Sequence, residues 1–238
     1  MCGILTGIAL FAAPAAYAQA PSPSTSKFFA SVDIGAQLAA RTLDMAASQT
    51  VYDETATVNA SLPIGKGVVP GFGVGYRVFG DVFVGVSVTM FSNTGTATTT
   101  ASIPDPLFFG RPKTVTGTVS DLKHRELAVL PQLMYTRAVT DKIDFVGAVG
   151  PAIISLKQDT ISSFSVPTGT QNVTFGTIEE SKTGTGINGM IGLNYNLTEK
   201  VAIGAFARFA GAKVQLASAL DKQNVGGMQA GVGLRYNF

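Results

Sequence analysis

The only histidine of the chain, His124, is the first residue whose chemistry could serve catalysis. A histidine beside a serine can activate the hydroxyl for acyl transfer, and Ser120 and Glu126 lie close to His124 in the sequence. Residues four positions apart in an extended segment are separated by ~13 Å, so Ser120 cannot reach the imidazole without a turn. Glu126 lies on the same face as His124, at ~6–7 Å. We therefore expect His124 to be a solvated or interfacial residue, and we expect no catalytic residue.

Composition excludes several other kinds of site. A single histidine cannot form a metal site of several histidines, and the only cysteine is Cys2. The formal net charge of +2 is too small to indicate nucleic-acid binding. We expect no cofactor, no metal ion and no nucleic-acid partner.

Hydropathy is high, but it is not concentrated in long runs. The chain is 46% hydrophobic and 13% charged, and average soluble domains carry about twice that charged fraction. After the N-terminal segment, no apolar run reaches the ~18–20 residues that a membrane helix needs. The apolar residues therefore form either a large soluble core or the alternating positions of β-strands.

Alternation of apolar with small or polar residues favours the second possibility. Successive side chains of a strand point to opposite faces, so a strand with one face in lipid is apolar at every second position. In segment 68–79, Phe72 and Val74 share one face, whereas Gly73 and Arg77 share the other. About eight segments show this pattern, most of them near the ~9–11 residues of a tilted membrane strand. They are 27–42, 68–79, 82–91, 123–136, 143–155, 185–197, 201–210 and 227–238.

The connections between these segments alternate in length. The turns at 80–81, 140–142 and 196–200 are short. The other connections are long and polar, at 43–67, 92–122, 156–184 and 211–225. Short turns on one side and long loops on the other are typical of an outer-membrane β-barrel. An even number of strands returns the chain to its starting side, so we expect both termini in the periplasm.

The N-terminal segment has features of a secretory signal. A short apolar stretch from Ile4 to Ala13 precedes Ala16-Tyr17-Ala18, which is a small-x-small cleavage site. No basic residue precedes Lys27, which is atypical, and a buried N-terminal helix is the alternative. We assign 1–18 to a signal peptide that carries away Cys2, 19–26 to a polar leader and 27–238 to the barrel.

Four tyrosines share one position in the repeated strand–turn unit. Tyr76, Tyr135, Tyr195 and Tyr236 each lie just before a short turn or the chain end, on the apolar face. A tyrosine at the headgroup level packs its ring in lipid and keeps its hydroxyl in water. We therefore expect a periplasmic aromatic girdle, with ordinary core tyrosines at hairpin ends as the alternative.

The face opposite the apolar one carries charges that would point into the barrel. These are Asp33, Arg41, Arg77, Glu126, Asp144, Arg208 and Arg235. Buried charges persist only when they are paired or hydrated. We expect Asp33 to pair with Arg235 and Glu126 to pair with Arg208. The interior of an eight-stranded barrel is just wide enough for side chains to fill it, so we expect these charges to plug the lumen. Inward glycines leave space, which keeps a narrow channel as the alternative.

Two long loops carry further signals. Residues 92–104 are rich in Thr, Ser and Ala, which predicts a flexible or strand-extending hairpin. Residues 107–113 place Leu107, Phe108 and Phe109 beside Arg111 and Lys113. This segment could contact lipopolysaccharide phosphates or another surface partner. The alternative that we favour is that it folds back onto the barrel mouth.

Together these features resemble the small outer-membrane barrels of the OmpA/OmpX type, in the broad outer-membrane β-barrel domain family. The resemblance rests on the signal segment, the repeated strand–turn units and the alternating, aromatic-rich end at 232–238. Phe238 at the last position is similar to the sorting signal that the outer-membrane assembly machinery reads in this family.

The resemblance implies an integral protein of the bacterial outer membrane, in contact with the lipid bilayer and lipopolysaccharide. It implies a closed, antiparallel, up-and-down transmembrane β-barrel with a structural or surface-interaction role, through an extracellular partner at the long loops. A narrow channel for small solutes is the alternative function. A lipid-modifying enzyme fits less well, because the residues around His124 form no local motif of the known acyl hydrolases.

Overall fold

The computed structural model describes residues 26–105, 107–165, 174–217, 219 and 222–238. The expected signal peptide at 1–18 and all but the last residue of the leader at 19–26 lie outside these ranges. The described residues form ten β-strands: β1 (Phe28–Gln37), β2 (Arg41–Val51), β3 (Glu54–Ile64), β4 (Val68–Phe79), β5 (Val82–Ile103), β6 (Lys113–Ala138), β7 (Ile143–Ser165), β8 (Thr174–Asn196), β9 (Val201–Val214) and β10 (Gln223–Asn237). Within them, no helix has the length and apolar character needed to cross a membrane.

Eight of the strands close into a ring. From β4 to β10 each strand pairs with its neighbour in the chain, and β1 pairs with both β4 and β10. All of these pairings are antiparallel, which confirms the prediction of a closed, antiparallel arrangement of about eight strands. The remaining strands, β2 and β3, form a hairpin outside the ring that is joined to it where β3 pairs with β5.

Alternation along the ring strands separates an exposed apolar face from an inner face. Tyr76 and Val84 are directly opposite each other in β4 and β5 and are 42% and 46% exposed, whereas Phe83, adjacent to Val84, is 2% exposed. The same exposed band continues around the ring through residues such as Val32, Leu133, Ile191, Ile203 and Val232. A wide apolar surface on the outside of a closed ring is the arrangement that a bilayer solvates.

Short turns join the strands at one end of the ring, as predicted. They are formed by residues 80–81, 139–142 and 197–200. Gly80 has a φ of 49°, a left-handed conformation that favours glycine in the tightest of them. We call this end the turn end and the opposite one the hairpin end.

The prediction of long polar loops at the hairpin end is wrong, because strands continue through most of them. β5 runs to Ile103 and β6 begins at Lys113, and residues 43–67 contain the β2–β3 hairpin. β3 pairs with the outer part of β5, from Thr57 opposite Ser102 to Ser61 opposite Thr98. The threonine-rich 92–104 segment thus extends a strand, which confirms the second of the two predictions for it, a flexible or a strand-extending hairpin. β-branched residues such as threonine fit a pleated surface even where they are polar.

Two prolines interrupt one ladder of the ring. Pairing of β6 with β7 stops at Val129 opposite Ile153 and resumes at Leu133 opposite Val149, which leaves Pro131 and Pro151 between. Proline has no N–H to donate to the ladder. The side-chain amide of Asn188 donates to the carbonyl of Pro151 at 2.5 Å, so part of the lost hydrogen bonding is replaced from β8.

The interior differs between the two ends. Toward the hairpin end it is an apolar core, built from inward residues of the ring and of the β2–β3 hairpin. Its most deeply buried large members are Met45, Leu62, Leu122, Leu130, Ile154, Leu156 and Leu216. The sequence predicted inward charges but not this apolar layer, and a lumen plugged by charges stays a prediction. The sequence did not predict the apolar core, because about two thirds of its buried residues come from segments interpreted as loops.

Candidate functional site: the barrel interior

One group of polar side chains lies beneath the apolar core, and we call it the Glu126 cluster. Its members are Gln37, Arg41, His124, Glu126, Gln158 and the backbone of Gly226. Glu126 accepts hydrogen bonds from Arg41 and from the Gly226 N–H, the latter at 2.9 Å. The carbonyl of Gly226 accepts from Gln37 at 2.8 Å. Gly226 has a φ of 82°, which favours glycine and turns both of its backbone groups toward the cluster.

His124 belongs to this cluster, which corrects the expectation of a solvated or interfacial residue. The side chain is buried, and Nδ1 donates to the Gln158 amide oxygen. Nε2 lies 2.8 Å from Glu126 Oε1, much closer than the separation expected from strand geometry. The expected ~6–7 Å is the spacing of the two residues along the backbone. Two long side chains on the same face of a strand can approach each other more closely than that. Ser120 is exposed and is not among the hydrogen-bond partners of the imidazole.

A second group of polar side chains lies toward the turn end. Arg208 Nη2 is 3.4 Å from Asp33 Oδ2, and both side chains are more than 90% buried. The Arg208 guanidinium also lies 4.8 Å from the centre of the Phe206 ring. Arg208 Nε and Nη1, together with Asp33 Oδ1, have no hydrogen-bond partner among the described residues.

The two predicted ion pairs are therefore wrong in their partners. Asp33 pairs with Arg208 instead of Arg235, and Glu126 pairs with Arg41 instead of Arg208. β10 separates β1 from β9, and its inward residue opposite Asp33 is Gly233. Because glycine has no side chain, Asp33 and Arg208 can meet across the intervening strand.

The remaining inward charges lie at the turn end and contact aromatic rings or amides. Arg235 lies 3.9 Å from the centre of the Phe29 ring and donates from Nε to Asn237 at 2.9 Å. Arg77 lies 4.9 Å from the centre of the Phe83 ring. Asp144 accepts from the Asn196 amide at 2.9 Å. Of the seven inward charges, two thus lie in the Glu126 cluster, two form the Asp33–Arg208 pair, and three make separate contacts near the turn end.

A cavity of about 70 Å³ lies between the second group and the turn end, and we call it the turn-end cavity. Its polar lining includes Ser31, Asp33, Asn194, Arg208 and Arg235. Its apolar lining includes Phe29, Met134, Val146, Met190 and Phe206. The Glu126 cluster and the apolar core separate this cavity from the hairpin end.

The four tyrosines lie on the outer face near the turn end. Tyr76, Tyr135, Tyr195 and Tyr236 are each between 40% and 43% exposed. Phe238 is exposed beside Tyr236, with ring centres 4.8 Å apart, and its N–H donates to the Phe28 carbonyl. Their roles as a girdle and as an assembly signal stay predictions.

The 107–113 segment does not fold back onto the barrel mouth. Leu107 and Phe109 are more than 80% exposed at the tip of the β5–β6 hairpin. The tip is held at its base, because the Gly110 N–H donates to the Glu54 carboxylate at 2.6 Å. This hydrogen bond ties the tip to the β2–β3 hairpin and leaves the apolar residues in solvent.

Two cations lie directly opposite each other on the outer wall. Arg125 of β6 is paired in register with Lys157 of β7, and both are exposed. They lie just beyond Leu127 and Ile153, which belong to the exposed apolar band. Lys157 has one anionic neighbour, Glu179, at 3.6 Å. Like charges directly opposite in a sheet are destabilising, and Glu179 offsets the charge of Lys157 but makes no ion pair with Arg125 among the described residues.

Comparisons with known proteins found several similar solved structures. Among solved structures, Neisserial surface protein A is 15% identical, with a TM-score of 0.44 over 89% of this chain and 97% of that one. OprG from Pseudomonas aeruginosa is 13% identical, with a TM-score of 0.46 over 90% and 96%. Ail of Yersinia pestis, in complex with the heparin analogue sucrose octasulfate, is 13% identical, with a TM-score of 0.33 over 88% and 99%. No curated protein matches the sequence.

The family is shown by a sequence profile. The profile of the outer membrane protein beta-barrel domain matches residues 4–238, which is nearly the whole chain. The match agrees with the closed ring and with the apolar band around it. The chain therefore belongs to the outer-membrane β-barrel domain family and is an integral protein of the bacterial outer membrane.

Proposed function

We propose that this protein is a closed barrel that acts at the cell surface and does not conduct solutes. The apolar core at the hairpin end carries this proposal. Leu62, Leu122 and Leu156 are each at most 2% exposed and come from three different strands. An ion that crossed this layer would lose its hydration without gaining polar partners. The Glu126 cluster below the core adds a second layer of side chains that bond to one another.

The orientation that we propose places the turn end in the periplasm and the hairpin end outside the cell. Short periplasmic turns and longer extracellular connections are the usual arrangement of such barrels. β6 has 26 residues, whereas ~9–11 tilted residues cross a bilayer. More than half of β6 therefore lies outside the membrane-spanning part, and its outer end carries the exposed tip.

The exposed tip is the part of the molecule best suited to contact a surface partner. Leu107, Phe108 and Phe109 expose apolar side chains at the end of the β5–β6 hairpin. Arg111 and Lys113 follow them immediately. Contiguous exposed apolar residues on an outer-surface protein are a common basis for protein or membrane contact.

Lipopolysaccharide is the partner that we propose for the opposed cations on the wall. Arg125 and Lys157 lie where the apolar band ends, which is the height of lipid phosphates in the outer leaflet. A phosphate between them would replace like-charge repulsion by charge-assisted hydrogen bonds.

A lipid-modifying enzyme receives no support from the surroundings of His124. Both ring nitrogens contact Gln158, Glu126 or Arg41, and none of these side chains carries a hydroxyl. A Ser–His catalytic pair needs a hydroxyl within hydrogen-bonding reach. We therefore assign His124 a structural role in the Glu126 cluster.

Planar-bilayer recording of the purified, refolded full chain tests the proposal of a closed barrel. The folded state of the sample is first verified by different migration of boiled and unboiled protein on a gel. We expect no steady conductance steps, because the apolar core blocks the path. Steady, ion-selective steps from the folded fraction would favour the narrow channel and overturn the proposal.

A further inference from the structure

The turn-end cavity contains a cationic group that the protein satisfies only in part. The Arg208 side chain is 97% buried, since its exposed fraction is 3%. Its Nη2 atom approaches Asp33 and the Met190 sulfur, the latter at 3.9 Å. Its Nε and Nη1 atoms have no hydrogen-bond partner among the described residues. A buried guanidinium with unused donors is costly unless something accepts from them.

The balance of charge around the cavity favours an anion. The inward charges near the turn end are Arg77, Arg208, Arg235, Asp33 and Asp144, so among these inward groups there is one excess positive charge. Of the two carboxylates, only Asp33 lines the cavity, and it already contacts Arg208 Nη2. Arg235 also lines the cavity, and within the described residues only its Nε donates a hydrogen bond. Two guanidinium groups with unused donors therefore share one small space.

The apolar part of the lining favours an anion that carries a hydrocarbon group. Met134, Val146 and Met190 lie on the side of the cavity formed by β6, β7 and β8. A cavity of 70 Å³ holds about five to seven water-sized probes at ~10–15 Å³ each. That space suits a ligand of about four to six non-hydrogen atoms. A hydrated phosphate would leave the methionines and the valine against water.

We propose that the turn-end cavity binds a short-chain monocarboxylate. The carboxylate accepts hydrogen bonds from Arg208 and Arg235, and the hydrocarbon group packs against Met134, Val146 and Met190. Asn194 and Arg235 are half-buried, so the ligand enters from the turn end. The apolar core blocks passage to the hairpin end, which makes the cavity a binding site with one entrance.

Binding of ¹³C-labelled butyrate to the full chain in lipid nanodiscs tests this inference by NMR titration. We expect saturable binding that weakens at least tenfold in Arg208→Met, which keeps the length of the side chain and removes its charge. Ser31→Met provides a second test, because it fills the cavity and leaves both arginines in place. It should abolish binding as well. Arg137→Met is the matched control, since it removes an exposed guanidinium at the same end of the barrel.

The outcomes separate the ligand classes. Loss of butyrate binding in either cavity variant, with binding kept in Arg137→Met, supports the site even if one cavity variant does not fold. Inorganic phosphate is titrated in parallel. Binding of phosphate without butyrate would overturn the proposed ligand class. Absence of saturable binding would mean that the cavity holds water only, and unchanged affinity in a folded Arg208→Met would overturn the role of Arg208.

Discussion

At the scale of single residues, the interior depends on side chains that reach across strands. Glu126 is the best example, because Arg41, His124 and the Gly226 N–H all bond to its carboxylate. These three partners come from β2, β6 and β10. One buried carboxylate thus connects the hairpin to two strands of the ring. Removal of one member of a buried ion pair is destabilising because the other charge is left unpaired.

Replacement of Glu126 by alanine should therefore lower the free energy of unfolding by about 3 kcal/mol. Equilibrium unfolding in urea, followed by circular dichroism in lipid vesicles, measures the change. Glu199→Ala is the control, since Glu199 is exposed in a turn and its loss should cost less than ~0.5 kcal/mol. A loss below about 1 kcal/mol in Glu126→Ala would contradict the structural role of the cluster.

Strand parity could predict which face a residue lies on, but it could not predict partners. Asp33 and Arg208 were both assigned to the interior from the sequence, yet their contact depends on the glycine between them in β10. His124 has the same parity as Glu126, so its inward position could have been inferred. It was missed because the distance was taken along an extended backbone.

At the scale of elements, the strands extend well beyond the part that contacts lipid. β5 has 22 residues and β6 has 26. Asp121, with a φ of 61°, lies at a bulge that reverses which positions of β6 point inward. A period-2 pattern that changes phase at a bulge is hard to follow from the sequence. For this reason the outer half of β6 was interpreted as a loop.

The Arg125–Lys157 cross-strand pair places two cations side by side on the outer wall. The double variant Arg125→Ser, Lys157→Ser should retain several-fold less lipopolysaccharide after purification, because it loses two donors to lipid phosphates. Quantified lipopolysaccharide per mole of folded protein is the measurement. The control double variant, Arg137→Ser with Lys142→Ser, makes the same change of charge at the turn end. Equal retention by the two double variants would contradict the proposed contact.

At the scale of the whole molecule, the protein has two kinds of interior inside one ring. The exposed apolar band and the turns were predictable because period 2 and short polar connections are strong local signals. The division of the interior into an apolar core and a polar turn end was not predictable, because it depends on how the β2–β3 hairpin packs. Gln49 of β2 donates to the Phe164 carbonyl of β7 at 2.9 Å, and this hydrogen bond connects the hairpin to a strand of the ring. The hairpin thus helps to close the space that a regular barrel of this length would leave open.

Paramagnetic relaxation of methyl signals in nanodiscs tests the two-part interior most directly, with one agent soluble in water and another anchored in lipid. We expect the lipid agent to broaden Val84 and the water-soluble agent to broaden Leu107, and we expect neither agent to broaden Leu122 or Leu156. Broadening of Leu122 and Leu156 by the water-soluble agent would contradict this expectation, because water would then fill the space that we assign to an apolar core.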